Sequence, residues 1–248
     1  MKARSRKSPN SPRLLPVPEY LVFQLAATVG AMGELAGHAH RGTLDRPGRS
    51  AVIGLLGAAL GRRREEDFSD LDGLQVFVAT FDPGQPLRDY HTVQTVPTAA
   101  ARAPQSRPEA LRLAGGAVRT TLTRREYRTG CLFGIAVAGP GLADVAEALR
   151  RPVFHLYLGR KACPLCAPLD PRLVEAPDPV TALTRLRLPP WAGSHAIREV
   201  AAAEGSNLDG TVRIETRQDR AIDRRRWHFA RSPTAIATPQ ANARGAEE

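Results

Sequence analysis

Apolar residues fall along the chain in short runs separated by glycine, proline and arginine. EYLVFQLAAT, Glu19 to Thr28, is aromatic and β-branched near its start and reads as a buried strand. A Gly-rich connection, VGAMGELAGHAHRGTLDRPG, follows it. From Ser50, AVIGLLGAALGRRR is continuously apolar, with a hydroxyl at its start and arginines at its end. That is the pattern of a buried helix whose terminal charges complement its dipole, with glycines for close packing. LQVFVATFD, Leu74 to Asp82, and CLFGIAVAG, Cys131 to Gly139, predict two further strands. LADVAEALRR, Leu142 to Arg151, is an amphipathic helix, and VFHLYLG, Val153 to Gly159, a closing strand. Strand, helix, strand, then strand, helix, strand predicts an α+β fold with the split βαβ arrangement of a ferredoxin-like core.

The pattern weakens after Pro168. TVRIETR, Thr211 to Arg217, alternates like a strand, and RRRWHFARS, Arg224 to Ser232, mixes charge with aromatics. The expected division is a flexible basic tail over 1–18, the ferredoxin-like domain over 19–168, a small C-terminal lobe over 169–232 and a flexible tail over 233–248. Both tails carry too little apolar surface to offset the entropy of ordering. The stretch from Gln94 to Thr123 has few strand or helix signals although it sits inside the domain. Loops of that length are commonly functional or disordered. Arg102, Arg107, Arg112 and Arg119 against a single acid, Glu109, favour a projection that touches a polyanion.

Charge sharpens this. The 248 residues carry a formal net charge of +10, and of the 35 basic residues only Lys2, Lys7 and Lys161 are lysines. High-GC coding explains such a bias, but the planar guanidinium also suits phosphate oxygens and base faces. Residues 1–18 hold five cations and no acid, while the last sixteen hold Arg244 against Glu247 and Glu248. The folded part therefore stays basic, as a polyanionic partner requires. The basic N-terminus runs into PVPEY instead of an apolar signal core, and Ala51–Gly61 falls well short of the roughly 20 residues of a membrane span. We expect a cytoplasmic protein with no membrane contact.

Three chemistries compete. Cys163 and Cys166 have the spacing of metal ligands, and GHAH supplies His38 and His40. An H-x-H pair is not the usual complement, however, and a structural zinc needs four closed ligands. Three cysteines are also an odd number for a disulfide framework, so packed thiols and no metal or cofactor are expected. A metal-independent ribonuclease would use Tyr90, His91 and Lys161 to deprotonate a 2′-hydroxyl and stabilise the developing charge. Spacing alone does not separate that reading from base stacking. The third chemistry is phosphate and base recognition. Gly159 lets the backbone approach a ligand beside Arg160 and Lys161. Arg46, Arg49 and Ser50 lie where a helix N-terminus would offer free N–H groups to an anion. Arg88 precedes Tyr90 and His91; Arg124, Arg125 and Tyr127, then Arg225 and Trp227, repeat the mixture of guanidinium and ring that suits RNA. These clusters are expected to line a single groove.

GRSAVIGLLGAALG, LRDYHTVQ, TRREYRTGCLFGIAVAG and above all YLGRKACPLCAPL resemble, in that order, the signature segments of the CasD family, the Cas-five subunits of type I-E CRISPR Cascade complexes. The resemblance covers about Tyr20 to Leu169, with an echo in RQDRAIDRRRWHFARS. It implies a RAMP-superfamily protein with an RRM-like, that is ferredoxin-like, core, a C-terminal lobe, and a protruding β-hairpin thumb at about 92–124. It further implies a non-catalytic subunit that holds the five-prime handle of the crRNA and caps the Cas-seven backbone. Such a subunit also contacts the Cascade large subunit, with its thumb near the target DNA. The related type I-C branch processes repeat RNA, which keeps an endoribonuclease as the alternative. In the family the position of Cys166 need not be cysteine, so no metal pair is implied. Met32 stands where the family often has tryptophan, and Gly48 and Ala51 depart from its Pro-Thr-Arg-Ser-Gly.

Overall fold

A computed structural model describes residues 17–37, 39–193 and 196–239. The expected N-terminal tail lies outside these residues apart from 17–18, as does His38; of the expected C-terminal tail, Pro233 to Ala237 instead continue a paired strand with Ile236 in the core, and 240–248 lie outside the described residues. The fold is built on β1, Glu19–Gly30, whose side chains are buried on both sides. β2, Met32–Ala36, and β3, His40–Leu44, form a small hairpin within the Gly-rich connection, where no regular structure was expected. Met32 is fully buried, and its N–H donates to Thr43 Oγ1 at 2.8 Å, so this position packs. α1, Arg49–Ala59, and the short α2, Ser69–Asp72, lead to β4, Gln75–Asp82. Gly57 is required in α1, because a Cβ there would lie 2.3 Å from the Phe68 ring.

β5, Gln85–Thr95, α3, Arg107–Ala114, and β6, Arg119–Ala138, follow. The segment with few strand or helix signals thus joins two long paired strands and carries a helix between them. Ser106 caps α3 by accepting from the Glu109 N–H, and Glu109 Oε2 accepts from the Gln105 N–H, a reciprocal capping arrangement. α4, Leu142–Arg150, comes next. The expected closing strand at Val153–Gly159 is not one. It runs as a strap in which the N–H groups of Val153 and Phe154 satisfy the last carbonyls of α1, Ala59 and Ala58. Tyr157 keeps only an isolated bridge to Pro164. The place beside β1 belongs to β7, Arg172–Glu175. After α5, Pro179–Thr184, the strands β8, Glu199–Ala202, β9, Thr211–Asp223, and β10, His228–Ala237, complete the chain.

Pairings run β7-β1-β6-β4 and continue through β8 and β10 to β9, all antiparallel. One face of this sheet packs Phe23, Val78, Phe133 and Ile135 against Ile53 and Leu56 of α1 and Val145 and Leu149 of α4. The other packs Val22, Phe77 and Ala136 against Ala182 and Leu183 of α5. Burial on both faces explains why β1, β4 and the second half of β6 read as unbroken apolar runs instead of alternating ones. β6 then outruns the core. Its second half lies between β1 and β4, while its first half projects with β5 on one side and β3 on the other.

Candidate nucleic-acid interface

The projecting ribbon of β3, β6 and β5 gathers about half of the predicted site. Successive side chains on a strand point to opposite faces. Tyr90 lies opposite Arg124, and Arg88 opposite Glu126, so these share one face with His40. There Glu126 accepts from Arg88 at 3.0 Å and pairs with His40 Nε2 at 3.3 Å. Hydrogen bonds from His40 and then Arg88 hold its carboxyl below the usual range. Arg124 and Tyr90, the latter 62% exposed, remain open to solvent, with no carboxylate partner among the described residues. The reverse face carries Arg125 opposite Asp89, His91 opposite Thr123, and Tyr127. Asp89 faces His91 Nδ1 at 3.6 Å, and the Arg125 Nε is shielded with no acceptor among the described residues. Arg41, missed in the sequence, stands paired with Arg125 across β3 and β6. Like charges on neighbouring strands destabilise a bare sheet, so this pair is suited to an anionic partner.

The turn after the strap anchors the ribbon. Gly159 has φ of +81°, and a Cβ there would lie 1.5 Å from the Ala31 carbonyl oxygen. Glycine therefore serves a close approach of backbone to backbone. Arg160 stacks on Tyr127 at 4.4 Å and donates to the carbonyls of Glu126 at 2.9 Å and Arg41 at 3.1 Å. It joins β6 to β3, and its exposed neighbour Lys161 supplies the open cation. Further out, Arg102, Arg112 and Arg119 are exposed, while Arg107 donates to the Gln94 carbonyl.

The expectation of one groove is not met. Arg46 is 1% exposed, its guanidinium enclosed by Glu199 at 2.8 Å, Glu215, and Asp45 at 3.3 Å. It meets carboxylates, so a phosphate has no access to it. The N-terminus of α1 is likewise occupied: Asp219 Oδ2 accepts the Arg49 N–H at 2.8 Å, and Ser50 provides no cap. Gly48 admits that carboxylate, since a Cβ would lie 2.6 Å from its oxygen. The crevice beside Arg46, Arg49, Arg217 and Asp219 is about 10 Å³, space for a water and not for a nucleotide. The Arg49 side chain is tied to the Asp72 and Leu74 carbonyls. Arg225 and Trp227 sit apart from the ribbon, at the turn between β9 and β10.

Cys131 and Cys163 are buried and Cys166 exposed. Burial pushes the Cys131 thiol up to about 11 and raises Cys163 as well. Among the described residues no group of three or more His, Cys, Asp or Glu side chains is placed to hold a metal ion, and no helix is long and apolar enough to cross a membrane.

Fold and interface together define an α+β protein with a projecting basic β-ribbon. The family described as CRISPR-associated protein (Cas_Cas5) matches residues 20–233. The CRISPR system Cascade subunit CasD of Escherichia coli (strain K12) is 32% identical over 213 residues, 79% of this chain and 88% of that protein. A chain of a CRISPR RNA-guided surveillance complex superposes with a TM-score of 0.63 at 27% identity, covering 88% of this chain and 89% of its own. A structure described as a Cas protein shares the fold with a TM-score of 0.53 at 24% identity, over 88% of this chain and 94% of that one. The chain belongs to the Cas5 family of CRISPR-associated proteins.

Proposed function

We infer that this protein is a crRNA-binding subunit of a type I-E CRISPR Cascade complex, acting in antiviral defence. The observation that carries the reading is the ribbon: residues 85–130 hold eight arginines against three acids. Arg124 among them, and Arg41 and Lys161 beside them, have no carboxylate partner among the described residues, and Tyr90 offers an exposed ring. Cations for the backbone and rings for unstacked bases are what a single RNA strand requires. On this reading β1, α1, β4, β6, α4 and β7 form the ferredoxin-like RAMP core, and β5 with the first half of β6 is the thumb. Residues 19–168 with β7 make the main domain, and the strands beyond it the C-terminal lobe. The five-prime handle lies along the ribbon, and the α3 tip with Arg102, Arg112 and Arg119 points toward target DNA. Cas-seven backbone subunits and the large subunit complete the assembly.

The protein binds without cutting. Tyr90 and His91 are neighbours on β5 and so face opposite sides of the ribbon, which denies them a common scissile phosphate. The test is fluorescence anisotropy with a repeat-derived handle RNA, together with incubation of that RNA in EDTA. We expect salt-dependent binding that weakens in the Arg124→Ala/Tyr90→Ala variant, and intact RNA. Cleavage in EDTA that disappears in His91→Ala would establish the endoribonuclease instead.

A further inference from the structure

The face of the ribbon that carries Arg88, Tyr90 and Arg124 also carries an acid. Among the described residues of β5 and β6, Glu126 is the one carboxylate on that face, since Asp89 points to the other. An acid here opposes a polyanion, because any phosphate brought to the neighbouring cations meets its repulsion. Its position is nevertheless fixed. Arg160 donates to the Glu126 carbonyl at 2.9 Å, and the side-chain Oε1 accepts from Arg88 Nη2 at 3.0 Å and lies 3.3 Å from His40 Nε2. Hydrogen bonds from His40 and then Arg88 keep the carboxyl ionised. Both contacts fall on the same oxygen. Oε2 has no partner among the described residues, and the side chain is 26% exposed. An ion pair with an arginine that is itself 65% exposed contributes little to the fold, so stability does not account for this acid.

The open oxygen stands beside an open ring. Tyr90 lies opposite Arg124, one step along the ladder from the Arg88–Glu126 pair, which makes Tyr90 and Glu126 diagonal neighbours with Cβ atoms roughly 7–8 Å apart. A base stacked on the exposed Tyr90 ring presents its edge to Glu126 across that distance. A carboxylate oxygen only accepts, so it takes an amino N–H and turns away a carbonyl. Adenine and cytosine set an exocyclic amino group beside a ring-nitrogen acceptor, which matches Oε2 beside the Arg88 guanidinium. Uracil flanks its one N–H with two carbonyl oxygens. Guanine offers two adjacent donors, a pattern that calls for both carboxylate oxygens, and Oε1 is already taken.

We propose that Tyr90, Glu126 and Arg88 form a base-reading site on the ribbon, selective for an unpaired base whose amino group adjoins a ring nitrogen, adenine or cytosine. Tyr90 stacks on the base, Glu126 Oε2 accepts from its amino group, and Arg88 donates to the ring nitrogen. The inference rests on the ribbon being the RNA-binding face. Arg124 and Lys161 hold phosphates whatever the sequence, whereas Glu126 costs overall affinity and adds selectivity.

Fluorescence anisotropy on the full chain tests this with octauridylate and with the same RNA carrying one central cytidine, adenosine, guanosine or purine riboside. Cytidine and uridine have rings of one size, so their comparison isolates the amino group; purine riboside keeps the ring of adenosine without its N6. We expect cytidine and adenosine each to tighten binding at least about fivefold over octauridylate, and purine riboside to lose most of the adenosine gain. In Glu126→Gln the five affinities should come within about twofold of one another, while that for octauridylate rises because a repelling charge is gone. If Glu126 only positions Arg88 and His40, the variant shifts all five by the same factor, and that result overturns the proposal. So do equal affinities in the wild-type chain, or a preference for guanosine. A wild-type chain that binds none of the five overturns the RNA-binding reading itself, and so differs from one that binds them all alike.

Discussion

Replacing Arg46 by methionine separates two roles for one guanidinium. Were it a phosphate contact, Arg46→Met would weaken RNA binding and leave stability unchanged. The structure ties it to Glu199 on β8 and Glu215 on β9, with Arg217 donating to its carbonyl at 3.2 Å. Removing one partner of a buried charge pair typically costs about 3–5 kcal/mol, because the other charge stays behind unpaired. Here Arg213 still reaches Glu199 and Glu215, both at 3.0 Å. The Arg46 Nε itself lacks an acceptor among the described residues, and methionine replaces much of the alkyl stem. These three offsets lower the expectation to about 2–4 kcal/mol.

Urea unfolding followed by circular dichroism reads this out. With a slope of about 1–3 kcal/mol/M, the midpoint should fall by roughly 1–2 M. Handle RNA affinity of the folded protein should stay within about twofold of wild type. Replacing the carboxylates as well, in Arg46→Met/Glu199→Gln/Glu215→Gln, should recover part of the loss, since the cost lies in the stranded charges. A midpoint within about 0.3 M of wild type combined with tenfold weaker RNA binding would refute the assignment.

Other outcomes follow from the same geometry. Arg124→Ala and Lys161→Ala should each lower RNA affinity regardless of sequence and reduce the slope of log affinity against log salt by about 1, read by anisotropy between 50 and 200 mM salt. Gly159→Ala should destabilise the fold by more than about 1 kcal/mol in urea titration, because the left-handed turn and the Ala31 carbonyl leave no room for a methyl group. Iodoacetamide should label Cys166 in the folded protein and spare Cys131 and Cys163 until urea is added, as counted by mass spectrometry. Burial favours the protonated Cys131 thiol. Its contribution is therefore complete below about pH 9 and is lost as pH rises through about 11. Tyr20 and Cys163, also raised by burial, add to an alkaline loss of stability that Cys131→Ala should reduce.

How legible each element was depends on where its partners lie. β1, α1, β4, α4 and the second half of β6 announce themselves because the layers that cover them leave a continuous apolar record. The first half of β6 is exposed or only half-buried apart from Thr123, so TTLTRREYR carries no apolar period, only the β-branched enrichment of Thr120, Thr121 and Thr123. Ser106 and Glu109, with Pro108 between them, have the pattern of a helix start, although no helix was expected there. The fourth strand was misplaced because VFHLYLG has strand composition, whereas RLVE has only four residues in which to show it. Val153 and Phe154 are held by carbonyl groups at the end of α1, a partner that composition cannot reveal.

The arginines make the same point with greater functional weight. Arg46 and Arg124 are alike in sequence, each beside other charges and close to an element boundary. Arg46 finds Glu199 and Glu215, 153 and 169 residues further along, because β8 and β9 extend the sheet past β4. Arg124 projects from the part of β6 that neither of those strands reaches, with Tyr90 opposite it on β5 and His40 opposite it on β3. A guanidinium thus becomes structural where β8 and β9 continue the sheet and stays open where β6 projects with only β3 and β5 beside it. Adding acids opposite the ribbon, for example Thr92→Glu, should pair Arg124 internally and cost RNA affinity without loss of fold. If Thr92→Glu binds handle RNA as tightly as wild type at 50 mM salt, the open cations of the ribbon are not what holds the strand.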